Sequence, residues 1–488
     1  MKRILDTVHG YIMVEDHFIR NIVDTKCFQR LRRIEQTSIR AVYPSARHDR
    51  FIHSLGVYHI GSLIVDHLKR EAKTYNYWSE TEATMGIIYD SYLAACLLHD
   101  VGHAPFSHSF EKYYGQKSLL SGRLKEIINK DAFSSDIDAV MDYDAPNFHE
   151  FMSAIVTCTQ FKTGLNRMNI DPEFVARMIT GTLYENEKDT HQIHNCFITL
   201  LHGHIIDADR LDYACRDVWA SGYSTSSIDL RRLISALHIL QNSEKQYVVC
   251  FESNSLNEIM GVLNVKDFQV RYVINHHTVS YEQWLLDKAV CTMAKQFFPD
   301  LEETSALSKI ICEEAVTGSL QLPQKGLTIT NLSDDDLIFL MKQGSNKYYE
   351  EWCSRKYNYF PLWKSRDEFN TSFKGIEKNA DVSFAKFESL VRPILESIGL
   401  DYEQVIITQA NFKPRVNIDN LYMVVSGEVI KYKDIYPSTA DINKNEYFYY
   451  VYIRKEMNET IAERQKRKKF YLLRLHDVMM MLYYNEKG

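Results

Sequence analysis

The chain has 488 residues, of which 45% are apolar and 25% charged, with a formal net charge of −7. That length exceeds one ordinary core, the abundance of Tyr and Phe argues against disorder, and the acidic balance argues against a bulk nucleic-acid binder without excluding a locally basic phosphate pocket. Nine scattered cysteines (Cys27, Cys96, Cys158, Cys196, Cys215, Cys250, Cys291, Cys312 and Cys353) form no C-x-x-C pair and read as reduced thiols. The opening MKRILDTVHGYIMVED holds no apolar stretch of signal-peptide length, and no run of about 18 apolar residues marks a membrane span. The expectation is a cytoplasmic protein without a membrane partner.

In chain order, FIHSLGVYHIGSLIVDHLKR sets Phe51, Leu55, Ile60, Leu63, Ile64 and Leu68 near helical period. DSYLAACLLHDVGH predicts an apolar helix stopped by Gly102 and Pro105. HNCFITLLHGHIIDADRLDYACRDVW predicts one long helix, and residues 257–297 read as helical with few breakers. The texture changes near Pro393: GEVIKYKDIYP and NEYFYYVYIRKE are rich in β-branched and aromatic residues and predict strands, PSTADINKN between them reads as a turn, and IAERQKRKKFYLLRLHDVMMMLYYN closes the chain as a helix. The expected fold is mainly α, a helical bundle core with a smaller α+β C-terminal lobe. The expected division is a core over 1–250, a helical extension over 251–390 that completes the substrate pocket, and the lobe over 391–488.

His53, the adjacent His99 and Asp100, and Asp209 can make one metal site, since imidazole with carboxylate suits Mn, Fe, Zn or Mg. A lone histidine on a helix is usually a satisfied one, and a His-Asp dipeptide arises by chance. HDVGHAPFSH, with three histidines and an aspartate at one helix end and turn, exceeds what a structural role needs. In DADRLDYACRD, helical spacing puts Asp209, Tyr213 and Asp217 on one face, while Asp212 and Arg216 form an i, i+4 ion pair beside it. A solvated charged helix would share that pattern, but the apolar FITLLHGHII before it carries the stretch into a core.

The order HDRFIHSLG, LLHDVGHAPFSHSFE, HEFMSA, IIDADRLDYACRD resembles the HD-domain superfamily, and in particular its deoxynucleoside triphosphate triphosphohydrolases. DTVHGYI and VDTKCFQRLRRIEQ fit as well, and the resemblance covers about the first 220 residues closely. It implies hydrolysis of a dNTP to a deoxynucleoside and inorganic triphosphate. His53, His99, Asp100 and Asp209 match the ligands of one divalent metal per active site. His149 matches the catalytic histidine and Glu111 the acidic residue that orients it, with His108 beside them. Arg50, His103, His108 and Arg210 match phosphate contacts, Arg210 standing where the family usually has lysine. Gln36 and Asp217 match residues on the sugar 3′-hydroxyl, and Tyr213 the aromatic residue beneath the sugar, where a 2′-hydroxyl would clash. Ile52 replaces a glutamate that many relatives carry. VRYVINHHTVSYEQWLLDK is expected to add phosphate or base contacts, from Arg271 and Tyr281 with His276 and His277 as further candidates.

The resemblance also implies regulation. Lys2, Asp24, Gln29 and Arg32 match a guanine-nucleotide activator pocket associated with oligomers, so a GTP or dNTP activator and a homodimer or tetramer are expected. Leu5 replaces a polar residue there. FQRLRRI is equally an amphipathic helix with solvated arginines. Two further readings stand beside the dNTPase: an HD-domain phosphodiesterase or nucleotidase on another phosphate ester, and a nucleotide sensor or single-stranded nucleic-acid binder. The basic run RQKRKK at 464–469 suits the last, though such runs are usually solvated helix faces.

Overall fold

A computed structural model describes residues 1–75, 82–143, 145–185, 189–203, 205–222, 228–322, 326–373, 382–412, 417–436 and 446–483. The predicted turn at 437–445 lies outside them. The chain is mainly α, with a smaller sheet-containing C-terminal region. It divides into two compact units that interleave in sequence: Met1–Lys266 with Val290–Gln343 and Val416–Thr439, and Asp267–Ala289 with Gly344–Arg415 and Ala440–Gly488.

The first unit opens with an antiparallel hairpin, β1 (Lys2–Asp6) and β2 (Gly10–Val14). Ile12 and Val14 alternate inward and Tyr11 and Met13 outward, the period-2 pattern of a half-buried strand. The helical body follows, with α1 (Arg50–Tyr75), α2 (Glu82–Leu98), α3 (Phe148–Thr159), α4 (Pro172–Thr180), α5 (Asp189–Leu201) and α6 (Ala208–Ser221). In α2 every residue from Ser91 to Leu98 is buried, so this helix runs through the centre of the unit. Helices α3 and α4 pack together, and α6 packs on α1.

The stretch predicted as one helix over 194–219 is two. Helix α5 ends at Leu201, and Asp207 starts α6 by accepting the Arg210 amide on its side chain at 2.7 Å. This N-cap satisfies an amide the new helix cannot, which makes 202–207 a connection rather than a continuation. It also sets Asp209 in the first turn of α6.

Strands β3 (Leu237–Gln241) and β4 (Tyr247–Glu252) pair antiparallel. After the hairpin β5 (Ser319–Leu322) and β6 (Leu327–Thr330), the chain leaves this unit, and residues 416–439 belong to it again. There β9 (Tyr422–Val425) runs parallel to β4 and pairs with β10 (Glu428–Lys431), giving the order β10-β9-β4-β3. The strand predicted over GEVIKYKDIYP stops at Lys431, and Tyr432–Ile435 is a helical turn. Residues 257–297, read as continuously helical, comprise Leu256–Phe268, a π-helical turn at Gln269–Ile274, and His277–Phe297.

The second unit holds a three-stranded antiparallel sheet, β7 (Tyr359–Pro361), β11 (Glu446–Arg454) and β8 (Val405–Phe412), with β11 central. Helices α7 (Phe384–Ser397) and α8 (Ile461–Tyr483) pack together, and Pro393, near which the sequence texture changes, lies inside α7. Its core gathers Trp363, Phe387, Tyr449, Val451 and Leu475. In the basic run on α8, Arg464 pairs with Glu459, Arg467 with Glu456 and Glu459, and Lys468 with Glu368. No helix among the described residues is long and apolar enough to cross a membrane.

Candidate active site

His53 lies one turn into α1, His99 and Asp100 directly follow α2, and Asp209 opens α6. Their ligand atoms meet. His53 Nε2 is 3.2 Å from His99 Nε2, 2.9 Å from Asp209 Oδ1 and 3.5 Å from Asp100 Oδ2. His99 Nε2 is 3.4 Å from Asp100 Oδ2 and 3.6 Å from Asp209 Oδ1. Ligands bonded at about 2.1 Å to one cation sit roughly 3 to 3.4 Å apart. Two imidazoles and two carboxylates with these separations therefore fit a divalent transition metal, and His53, His99 and Asp100 can hold it with donors facing one another.

The charges are arranged to keep the acids ionised. Burial opposes ionisation of Asp100, but the Arg50 guanidinium and the neighbouring histidines hold its carboxyl below the usual carboxylate range. Desolvation also opposes ionisation of Asp209, whose side chain is 37% exposed, and hydrogen bonds to His53 and His99 hold its carboxyl far down. Burial works against charging His53, and the hydrogen bonds to Asp209 and Asp212 overcome it, pushing the imidazole up to about 10.

Asp212 and Arg216 form the expected i, i+4 pair, Arg216 Nε donating to Asp212 Oδ2 at 2.8 Å. Two contacts of that pair were not legible in the spacing. Asp212 Oδ2 is also 2.7 Å from His53 Nδ1, and Asp212 Oδ1 is 2.6 Å from His9 Nε2. Arg216 reaches on to Asp6 in β1, with Nη1 2.9 Å from Oδ1. A carboxylate on the far nitrogen of a metal-binding histidine fixes its tautomer and ring plane. The N-terminal hairpin is thereby tied through Asp6, His9, Arg216 and Asp212 to His53. Gly56 makes this possible: a Cβ there would lie 1.9 Å from Asp212 Oδ1.

A second cluster adjoins the first. His149 Nδ1 is 2.6 Å from Glu111 Oε2, and His108 Nδ1 is 3.1 Å from Glu111 Oε1. His103 stacks on His149 at 4.1 Å, and His108 meets both edge-on. Burial opposes protonation of His149, while Glu111 outweighs it and raises the imidazole above its ordinary value. Glu111 is held well down by its two histidines despite burial. Burial and the Arg50 charge hold His103 neutral, and neither of its ring nitrogens has a hydrogen-bond partner. Gly102 lets the two clusters approach, because a Cβ would sit 2.3 Å from the Ser153 amide nitrogen on α3. Two left-handed residues, Phe106 (φ 55°) and Ser107 (φ 54°), then turn the chain toward His108.

Arg50 joins the clusters. Nη1 donates to Asp100 Oδ2 at 2.6 Å, Nε to Ser107 Oγ at 3.1 Å, and Nη2 to the Gln36 carbonyl at 3.4 Å, with His108 Nε2 3.5 Å away. The Gln36 side-chain oxygen is buried without a partner, as is Arg210 Nη1. Tyr213 stands one turn beyond Asp209. Asp217 lies two turns further along α6 than Asp209, about 12 Å on, with Oδ1 held 2.8 Å from His48 Nε2. His9 lies within DTVHGYI and His48 begins HDRFIHSLG, yet sequence alone gives neither a role; only the tertiary approach to α6 gives them one.

Lys2 Nζ is 3.6 Å from Asp24 Oδ1, and Arg32 Nε donates to Gln29 Oε1 at 2.8 Å. Gln29 Nε2 donates to the Val23 carbonyl beside Asp24 at 2.8 Å, and the Arg32 guanidinium lies 3.5 Å over the Phe51 ring. Arg271 and Tyr281 belong to the second unit, where Arg271 Nε pairs with Asp267 at 2.8 Å and the buried Tyr281 hydroxyl donates to Glu351. There, too, His277 Nδ1 sits 3.1 Å from the Lys364 carbonyl and His276 Nδ1 accepts the Thr278 amide.

Comparison with known proteins bears on the family. Residues 50–140 match the HD domain family. A Bacillus subtilis (strain 168) protein named uncharacterized protein YwfO is 30% identical over 60% of this chain and 55% of its own length. A Dictyostelium discoideum protein named deoxynucleoside triphosphate triphosphohydrolase SAMHD1 homolog is 26% identical over 61% of this chain and 50% of its own. The chain thus spans about half the length of these relatives. The crystal structure of a hypothetical protein from Aquifex aeolicus superposes with a TM-score of 0.62 over 96% of this chain and 99% of that one, at 21% identity, which shows a shared fold. The chain carries an HD domain, and its relatives include SAMHD1-like triphosphohydrolases.

Proposed function

We propose that the chain hydrolyses deoxynucleoside triphosphates to a deoxynucleoside and inorganic triphosphate. The observation that carries this reading is the adjacency of two differently tuned clusters. One set of donors, His53, His99, Asp100 and Asp209, suits a divalent cation, and beside it an imidazole, His149, is kept protonatable by Glu111. Relatives bearing the triphosphohydrolase name support the substrate class.

The four ligands would hold the metal, which when bound supplies positive charge for an α-phosphate oxygen and acidifies a water. Arg50 and Arg210 present guanidinium donors to the phosphates, and the buried, unpartnered Nη1 of the partly exposed Arg210 is a donor awaiting an acceptor. His103, neutral and unpartnered, offers a further hydrogen bond without adding charge. His149 gives its proton to the departing 5′-oxygen, and Glu111 both orients the ring and stabilises the imidazolium. Gln36 and Asp217 hold the sugar 3′-hydroxyl, and Tyr213 fills the space a 2′-hydroxyl would need. Lys2, Asp24, Gln29 and Arg32 form the pocket for a guanine-nucleotide activator, and the working form is a homo-oligomer in the cytoplasm.

The test is product identification with each dNTP in the presence of Mn2+, Mg2+ or Fe2+, alongside His99→Ala. Release of intact triphosphate, lost in the variant, is expected. Orthophosphate or a nucleoside monophosphate as the product would replace this reading with a phosphodiesterase or nucleotidase, and undiminished turnover in the variant would remove the metal site from it.

A further inference from the structure

Helix α1 carries a second set of donors far from His53. His67 and Glu71 stand at i, i+4, one turn apart on one face, about 21 Å along the axis from His53 at 1.5 Å per residue. His238 on β3 faces them. His238 Nδ1 is 2.8 Å from Glu71 Oε1, and His67 Nε2 is 3.8 Å from the same oxygen. One ligand atom from each of the three residues lies within 4.8 Å of those of the other two.

The surroundings suit a cation. Two imidazoles and one carboxylate form the donor set of three-ligand zinc sites, in which a fourth position stays open to water. The i, i+4 pair on a helix is the spacing that lets two side chains reach one ion. His238 Nε2 lies 3.2 Å from Glu252 Oε1 on β4 without an aligned hydrogen bond, so a carboxylate stands within reach of its outer nitrogen, where metal-bound histidines use one. The side chains of His67, Glu71 and His238 are 12–13% exposed and that of Glu252 is 41% exposed, so the donors are largely sheltered while an ion has a route in. His67 Nε2 also bonds the Leu237 carbonyl at 2.8 Å, and binding exchanges that bond for a coordinate one.

We propose that His67, Glu71 and His238 form a second divalent-metal site, of the borderline class to which Zn2+ belongs, with Glu252 as the outer support of His238. The site pins the far part of α1 to the β3-β4 hairpin, two elements that are more than 160 residues apart in sequence. It is independent of the HD cluster, about 21 Å from His53 along α1 at 1.5 Å per residue.

Zn2+ alone is the probe. Full-length protein stripped with a chelator is loaded with Zn2+ and crystallised, and anomalous maps are collected on both sides of the zinc edge. A peak between His67, Glu71 and His238 is expected; a map with density at the HD cluster and none here overturns the proposal. In solution, zinc bound per chain after gel filtration should fall by one equivalent in His238→Asn and in Glu71→Gln, with no loss from the HD cluster. Stoichiometry equal to wild type in folded variants would mean that the carboxylates hold only a proton on His238, which also overturns it. The diffraction arm uses the unaltered chain, so misfolding of a variant leaves the question decided.

Discussion

Asp212 Oδ2 sits 2.7 Å from His53 Nδ1, on the side of the ring opposite the ligand nitrogen. The same carboxylate takes Arg216 and His9, so His53 is oriented by a buried network that begins in the N-terminal hairpin. Asp212→Asn keeps the size of the side chain and removes the charge. Metal affinity at the HD cluster should fall about 10- to 100-fold, the usual effect of losing such a partner. His9→Ala should move it the same way by less. Mn2+ titration of each variant checks this, and wild-type affinity in Asp212→Asn would mean that the network serves folding alone.

Gly56 tests the same network sterically. A methyl group there would overlap Asp212 Oδ1 at 1.9 Å and Arg216 Nη2 at 2.4 Å. Gly56→Ala should cost at least about 1–3 kcal/mol of stability by overpacking, and weaken metal binding with it. A methyl group on Gly86 in α2 would meet nothing within 4 Å, so Gly86→Ala should instead be neutral or stabilising by roughly 0.5–1 kcal/mol through helix propensity. Thermal melting followed by circular dichroism compares the two, and equal melting temperatures would contradict the close approach of α6 to α1.

The pairing of Glu111 with His149 predicts a pH profile. Burial disfavours the imidazolium and Glu111 favours it, with a net rise above the ordinary histidine value. If His149 acts as the acid, kcat/KM falls on the alkaline side as pH passes through that raised pKa. Glu111→Gln removes the main group opposing burial, leaving only Glu150 and Asp100 to favour the imidazolium, so this limb should move to lower pH and the maximum rate should drop. A limb that stays in place would assign it to another group.

The site could be read from sequence only where chemistry is written into local spacing. His99 and Asp100 are adjacent, and Asp209 with Tyr213 and Asp212 with Arg216 follow helical period, so their faces were legible. The contacts that organise His53 were not: its partner Asp212 is 159 residues away, and His9 reaches Asp212 across 203. The break between α5 and α6 was hidden because the apolar period of FITLLHGHII carries through it, although Asp207 is a good N-cap residue. In the hairpin 2–14, only the second strand alternates in burial. The return of 416–439 to the first unit has no local signal, since β9 joins β4 through a parallel pairing set by the whole chain.

Tyr213 bears on sugar selectivity. It is half-buried on α6, one turn from Asp209, with burial pushing its hydroxyl far above its ordinary value, so it stays neutral. Tyr213→Ala removes the ring proposed to occupy the 2′ position. The preference for dATP over ATP, measured as the ratio of kcat/KM values, should fall by about tenfold or more, since steric and hydrogen-bond discrimination of this kind is worth about 1–3 kcal/mol. Tyr213→Phe should retain it. An unchanged ratio in Tyr213→Ala would remove Tyr213 from its assigned role.

The N-terminal pocket gives the last prediction. Asp24 is half-exposed beside Lys2, and the Arg32 guanidinium carbon lies 3.5 Å over the Phe51 ring. In the proposed activator site a guanine edge would donate to the Asp24 carboxylate, and Lys2, now 3.6 Å from Asp24, would turn to a phosphate. Phe51 and His53 share the first turn of α1, and β1 carries both Lys2 and Asp6, so a nucleotide bound here would press on the elements that hold His53. Added GTP should raise the dNTP hydrolysis rate. Asp24→Ala should raise the GTP concentration giving half the effect by about tenfold or more, as expected when a charge-assisted hydrogen bond is lost. Arg32→Ala should do likewise by freeing Gln29 and exposing Phe51. Rates that do not change with GTP at any concentration would leave the Lys2–Asp24 pair as a surface ion pair, worth about 0–1 kcal/mol to the hairpin and nothing to catalysis.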